Sequence, residues 1–493
     1  MKILKRIAPF AVIVAAALLL LYLPDIGPER YTDLGTFFRV ERSRQALSGI
    51  AVAVVAKGSV LYVDAFGHDG AGRTLGPNSQ LFIGEGSETF TGLCAMALVR
   101  DGRLDLDAPV RRYLPWFGFA QGAGQDVSPR HLLTHTSGVS DGSFDDVHAS
   151  AQDLTGAVRF LLDAVPLAPP GRQFNALATD YQALGLVMEK VSGERYADLL
   201  ADLVFRPLGM RGSTARPEDL RRSTPQGFGS FFGMPLQRAQ TVRVFGAPSA
   251  YVVSTASDLG AYLAYLAAPE RQRRPPLPQA AVGRLFQPLV PDIPFGWGWY
   301  LQEAGGAGAA LHDGSLDGFS SRLVLWPLER NGVALAATQN SLLQSMLSLP
   351  ALASGARRII LEGQTERPFP LGRLYILLAV MAAVHLIVLS AQTGGALRWA
   401  KDVKGRADAV GAPGPIRFAV ARSILGLALR VAVFSLAPAA LGILIHRRLA
   451  WGTAFALEPG IAAWFASACF FGALRNVARL AWLRGARSVR RQR

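Results

Sequence analysis

Three apolar runs near the C-terminus, at about 371–392, 417–446 and 455–475, constrain this chain more than any other feature. Each can cross about 30 Å of hydrocarbon as a helix. Lipid offers backbone N–H and C=O groups no partner, so such runs are read as helices that satisfy themselves. A shorter run from Ala8 to Leu23 follows Lys2, Lys5 and Arg6, which fits a secretory signal or a signal anchor over residues 1–28. No clear small-residue cleavage site follows it, so retention as an anchor is expected. A mean hydropathy of +0.25 over 493 residues agrees with several lipid-facing segments.

The charge is then read by location. Lys and Arg total 51 against 36 Asp and Glu, a formal +15. Seven of the arginines (Arg475, Arg479, Arg484, Arg487, Arg490, Arg491, Arg493) crowd the last nineteen positions, so residues 476–493 read as a basic tail. The connector after the first run carries Arg398, Lys401, Lys404, Arg406 and Arg417 against Asp402 and Asp408. Both segments are expected in the cytoplasm of an inner-membrane protein, which leaves 29–365 outside, in the periplasm. Arg447 and Arg448, on the outer loop, oppose this and are outnumbered. The basic excess therefore predicts contact with membrane lipid and no nucleic-acid partner. His385 and Arg430 fall within spans, where a functional role and a packing or snorkelling role both remain open. Cys94 and Cys469 belong to different regions, and no disulfide is expected between them.

Within 29–365, IAVAVVAKGSVLYVDAFG sets two β-branched runs around Lys57-Gly58 and predicts a hairpin. FSSRLVLWPL and GVALAATQN predict a second pair, with Asn331-Gly332 supplying the positive φ of the turn. Between them, periodic segments predict helices at Phe90 to Arg100, Leu154 to Val165, Tyr181 to Val191 and Asp258 to Ala267. Thr255 followed by Asp258 resembles a capping box for the last. Strands at both ends with helices between predict an α+β domain whose antiparallel sheet is assembled from the two ends of the region, with a helical layer.

Several strings then occur in an informative order: LFIGEGSETFTG from Leu81, RHLLTHTSG from Arg130, PGRQF from Pro170, DYQALGLVMEKVSG from Asp180, VSTASDL from Val253, FGWGW from Phe295, and HDG with DGFSS between His312 and Ser321. Together they resemble the serine β-lactamase and penicillin-binding-protein superfamily, and its class C, DD-peptidase and esterase branch in particular. The resemblance covers about residues 30 to 360 and implies a β-lactamase/transpeptidase-like fold. It also implies a serine nucleophile at a helix start, a lysine one turn on, a Tyr-x-Asn and a Lys- or His-x-Gly strand.

Laid on this chain, that pattern puts Glu85 at the serine and Glu88 at the lysine. It puts Ala176 at the tyrosine and Ala178 at the asparagine, and only His312-Asp313-Gly314 retains its motif. Ser87 stands two residues past Glu85, about 200° round a helix, and has no base one turn later. Acyl-enzyme chemistry needs a hydroxyl, a proton acceptor and oxyanion donors, and the first two are missing here. The Glu85/Glu88 pair has three readings. The carboxylates complement the helix dipole; or they share a proton and work as acid or base with His312 or Asp313; or, with those two, they gather a divalent cation. His131 and His135 read as scaffold.

A degenerate, ligand-binding member of that superfamily is therefore expected: a pseudoenzyme whose cleft is lined by Glu85, Glu88, Ala176, Ala178, His312, Asp313 and Gly314. It would take a peptide, a peptidoglycan stem, an acylated small molecule or a partner enzyme, with no cofactor. One alternative is an active peptidase, esterase or acid/base enzyme using non-standard residues, because the membrane layout resembles that of the peptidases that mature colibactin-type prodrugs. The other is a membrane accessory protein in which the helix bundle does the work.

Overall fold

The computed structural model describes residues 28–139, 151–216, 218–219, 225–304, 306–410, 413–444, 455 and 458–489. The expected N-terminal anchor, Arg447, Arg448 and the last three arginines of the tail lie outside them. Two compact units divide the chain, one within Ile26–Gly229 and Pro235–Leu371, the other containing Ser230–Met234 and Gly372–Arg493.

The first unit is built on a seven-stranded antiparallel sheet. Its strands are Gly49–Ala56 (β1), Ser59–Gly67 (β2), Phe295–Gly296 (β3), Trp299–Ala304 (β4), Ala307–Leu316 (β5), Phe319–Trp326 (β6) and Asn331–Ala337 (β7), in the spatial order β2-β1-β7-β6-β5-β4-β3. The two chain ends meet where β1 pairs with β7, from Val55 opposite Gly332 to Ile50 opposite Ala337. β1 is GIAVAVVA and is buried on both faces up to Val55, so it reads as a continuous apolar run.

Lys57 and Gly58 both take positive φ, 49° and 76°, as a two-residue turn between right-twisted strands requires. The other expected turn is displaced. Asn331 and Gly332 are already inside β7, and the positive φ, 56°, falls on Arg330. Asn331 is drawn into the sheet because its Oδ1 accepts the Lys57 N–H at 3.0 Å, tying the two turns together.

The helices flanking the sheet include Leu34–Arg44 (α1), Ser87–Arg100 (α2), Pro129–Leu133 (α3), Ala178–Ser192 (α4), Ala256–Ala267 (α5) and Leu349–Glu362 (α6). Phe37 and Phe38 of α1 pack with Leu352 and Ala356 of α6 on one face, together with Leu311 and Val324 of the sheet. The opposite face carries Ala310 and Leu323 and is covered by α2, α4 and α5. α2 is apolar nearly all round because it runs through that core, with buried residues from Ser87 to Leu98.

Gly193 closes α4 in the left-handed conformation. The segment from Leu154 is shorter than expected: its α-helix ends at Arg159 and a 3-10 turn runs to Asp163, since Pro166 disfavours helical geometry just before it. Thr255 does cap α5 by accepting from Asp258 N–H at 3.1 Å, but Asp258 does not return the bond. Its carboxylate takes Gly212 N–H and Ser213 O–H instead, both at 2.8 Å.

The second unit is helical: Leu371–Gly394 (α7), Ala396–Val410 (α8), Gly414–Leu444 (α9) and Pro459–Val489 (α10). α7, α9 and α10 each contain a stretch long and apolar enough to cross a membrane. The basic connector is a helix, α8, whose Trp399, Ala400 and Val403 pack on Ile416, Ala419 and Val420 of α9 and Leu483 of α10. Residues 476–489 continue α10, and Leu483 is buried in the same cluster. His385 accepts the Trp464 indole N–H at 3.2 Å, a packing contact.

Candidate functional site

The site is assembled where a tight turn meets β5. Gly84–Gly86 form a single 3-10 turn that leads directly into α2. The turn presses on the strand so closely that a Cβ on Gly314 would fall 1.9 Å from the Ile83 carbonyl oxygen, and one on Gly84 would fall 2.4 Å from Ser315 N. Ser321 of β6 holds the turn from below, its hydroxyl donating to Ile83 C=O at 2.6 Å.

Glu85 occupies the tip. Its Oε2 accepts the backbone N–H of Ser315 at 2.5 Å, a hydrogen bond to a carboxylate. Ser315 is the first residue past His312-Asp313-Gly314. In acyl-transfer chemistry, donors of this kind stabilise the oxygen of a tetrahedral intermediate. Counted from Cβ, the Cγ–Cδ–Oε atoms of glutamate repeat the Oγ–C–O atoms of a serine ester. The Glu85 carboxylate thus has the reach of the carbonyl group of an acyl-serine at this position, and it engages a donor suited to that carbonyl.

One turn on, Glu88 points into the protein. Its Oε2 lies 3.1 Å from His135 Nε2 and 3.8 Å from His312 Nε2, and all three side chains are buried. His135 Nδ1 faces Asp180 Oδ2 at 3.6 Å and Leu177 N–H at 3.2 Å. The carboxylate serves the ring when it is a cation, and the N–H serves it when it is neutral. Burial pulls the His135 pKa down, but the Glu88 and Asp180 carboxylates outweigh burial and raise it to about 9. Burial pushes Asp180 up and His312 down. His312 donates its Nδ1–H to Gly298 C=O at 2.7 Å. Phe295 packs beside both imidazoles, at 5.1 Å from His135 and 5.9 Å from His312 between ring centroids.

Of the residues expected to line one cleft, Glu85 meets Gly314 and, beyond the expected set, Ser315, while Glu88 and His312 meet beneath them. Ala176 and Ala178 are exposed methyl groups beside Leu177. Asp313 does not join them. Strand alternation turns it to the α1/α6 face, where it is exposed and pairs with Arg322 at 3.0 Å. The divalent-cation reading fails with it: Glu85 is bonded to Ser315 N–H, and among the described residues no three His, Cys, Asp or Glu side chains converge on a metal position. Ser87 is fully buried, donating to Gly84 C=O at 2.7 Å and accepting Val252 N–H at 3.1 Å.

His131 is indeed scaffold, its ring capping α3 through Ser128 N–H. His135 is more than that, as the partner of Glu88. Its positive φ of 52° lies inside THTSG, where spacing alone marks no special conformation.

An antiparallel sheet joined from both chain ends, with a helical layer that delivers a turn to one of its strands, defines the β-lactamase/transpeptidase-like class of folds. The family model named Beta-lactamase matches residues 37–356, and the chain belongs to that family. Protein flp of Staphylococcus aureus (strain MW2) is 23% identical over 316 residues, 63% of each chain. The chain thus spans about 63% of the length of that relative. Among solved structures, the octameric penicillin-binding protein homologue from Pyrococcus abyssi aligns with a TM-score of 0.56 and 24% identity, covering 67% of this chain and 77% of that one. D-alanine carboxypeptidase AmpC from Burkholderia cenocepacia aligns with 0.53 and 21%, covering 65% and 95%.

Proposed function

We propose that this chain is a membrane-anchored β-lactamase-family protein whose outer domain binds a peptide or acylated ligand without cleaving it. The observation that carries this reading is the Glu85 carboxylate on Ser315 N–H. A carboxylate there reproduces the shape of an acyl-serine and cannot be released by hydrolysis, so the pocket rests in the form that an active relative would visit only during turnover. Attack by Glu85 on an acyl carbon would give an anhydride, with no neighbouring base to assist.

Glu88 and His135 support the same reading. Both are buried, each serves the other, and neither reaches a solvent-side substrate as general acid or base. Ser87 offers no substitute nucleophile, since its hydroxyl is committed at both ends. The exposed methyls of Ala176 and Ala178 leave room where the family pattern has larger polar side chains. The charge distribution of the C-terminal helices and their connector supports an outer domain on the periplasmic side.

A stem peptide ending in D-alanyl-D-alanine tests the proposal when titrated into the full-length protein, with binding heat and free D-alanine both followed. Saturable binding with no D-alanine released is expected. Release of D-alanine that Glu85→Ala abolishes, or no binding of either a stem peptide or a penicillin, overturns it.

A further inference from the structure

The membrane helices hold a set of cations that the outer domain does not explain. Arg422 and Arg430 lie on α9, Arg475 and Arg479 on α10. The two helices pack antiparallel: a Cβ on Gly472 would fall 2.0 Å from Arg430 Nε, and one on Gly426 would fall 3.0 Å from Asn476 Nδ2. This register brings the four guanidinium groups to adjacent levels, and Arg430 and Arg422 act electrostatically on both Arg475 and Arg479.

Neither helix contains an acidic residue. The partners that the guanidinium groups have are uncharged. Arg430 donates to Gly426 C=O at 2.8 Å, Arg475 donates to Gln392 of α7, and Arg479 sits 4.4 Å from the Trp399 ring of α8. Three buried donors are left with no acceptor: Arg475 Nε, Arg479 Nε and Asn476 Nδ2. Like charges gathered in a medium of low dielectric, with donors in excess, ask for an anion that offers several acceptors, which is the chemistry of phosphate. Beside them, Leu425 and Leu429 are exposed on α9, 70% and 60%, an apolar strip that acyl chains cover and a free ion does not.

We propose that α9 and α10 form a headgroup site for an anionic phospholipid, with Arg422, Arg430, Arg475, Arg479 and Asn476 holding its phosphate. Basic pockets between spanning helices on the cytoplasmic side are suited to this recognition. The site is independent of what the outer domain binds.

Native mass spectrometry of the full-length protein, released from micelles holding equal amounts of phosphatidylglycerol and phosphatidylcholine, tests it. Phosphatidylglycerol is expected to be retained about tenfold over phosphatidylcholine, and Arg430→Gln/Arg475→Gln should remove that preference. Lys401→Gln/Lys404→Gln on α8 should keep it. If the double arginine variant does not fold, by the criterion of an unchanged thermal transition, Arg479→Gln is read in its place. Equal retention of the two lipids, a preference that survives the arginine variants, or displacement of the lipid by equimolar inorganic phosphate overturns the proposal.

Discussion

His135 Nε2 stands 3.1 Å from Glu88 Oε2 with neither side chain in contact with solvent, and the pair joins the first turn of α2 to the loop after α3. A buried ion pair adds little net stability while intact, because both charges lose their hydration, but removing one partner strands the other. His135→Ala is therefore expected to destabilise the β-lactamase-like domain by about 3–5 kcal/mol. Glu88→Gln should cost less, since its amide still accepts from the ring. Urea denaturation of the single and double variants checks this, and the double variant should cost clearly less than the sum of the singles.

The same pair sets a pH dependence. The folded-state pKa of His135, about 9, lies above the ordinary histidine value of 6.5. The folded protein therefore binds this proton more tightly than the unfolded chain does. The resulting stability is complete below pH 6.5 and is lost as pH rises through about 9, a change of about 3 kcal/mol. Thermal melts between pH 6 and 10 should show this decline, and it should flatten in His135→Phe.

Restoring the nucleophile alone should not restore chemistry. Glu85→Ser regains a hydroxyl, but Glu88 stands where a proton-accepting lysine is needed and Ala176 where the tyrosine is. No labelling by a fluorescent penicillin is expected. Adding Glu88→Lys should be worse for the fold, since an ammonium would then face the His135 ring at the position where a carboxylate now stabilises its cation.

Close approach of the turn to β5 also makes a mechanical prediction. Gly314→Ala would put its methyl 1.9 Å from Ile83 O and 2.4 Å from Ser321 Oγ, two atoms hydrogen-bonded to each other. A loss of about 3 kcal/mol is expected in urea denaturation. Gly308→Ala on the same strand meets nothing within 4 Å and should change stability by less than about 0.5 kcal/mol.

The fold was largely legible because its signals are local. Alternating or continuous apolar runs mark β1, β2, β6 and β7, and an uncharged run of spanning length marks α7. The site was legible only in part. The strings brought Glu85 to the turn and Glu88 and His312 near each other, although the latter two are buried beneath it, whereas the contacts of His135, Asp180 and Ser315 join distant segments that spacing does not encode. Asp313 was misplaced for a simpler reason. A three-residue motif on a strand has a two-residue period, so its middle member faces away from the other two. Asn331-Gly332 shows the reverse limit, a strong turn signal overridden by one side-chain bond to Lys57 N–H.

Intact-protein mass spectrometry after incubation with excess penicillin and with a fluorophosphonate tests most directly whether Glu85 at this turn leaves the pocket without an acylable nucleophile. An unchanged mass for the full-length protein with both reagents is the result predicted. A stoichiometric adduct on any residue of the pocket around Glu85 contradicts it.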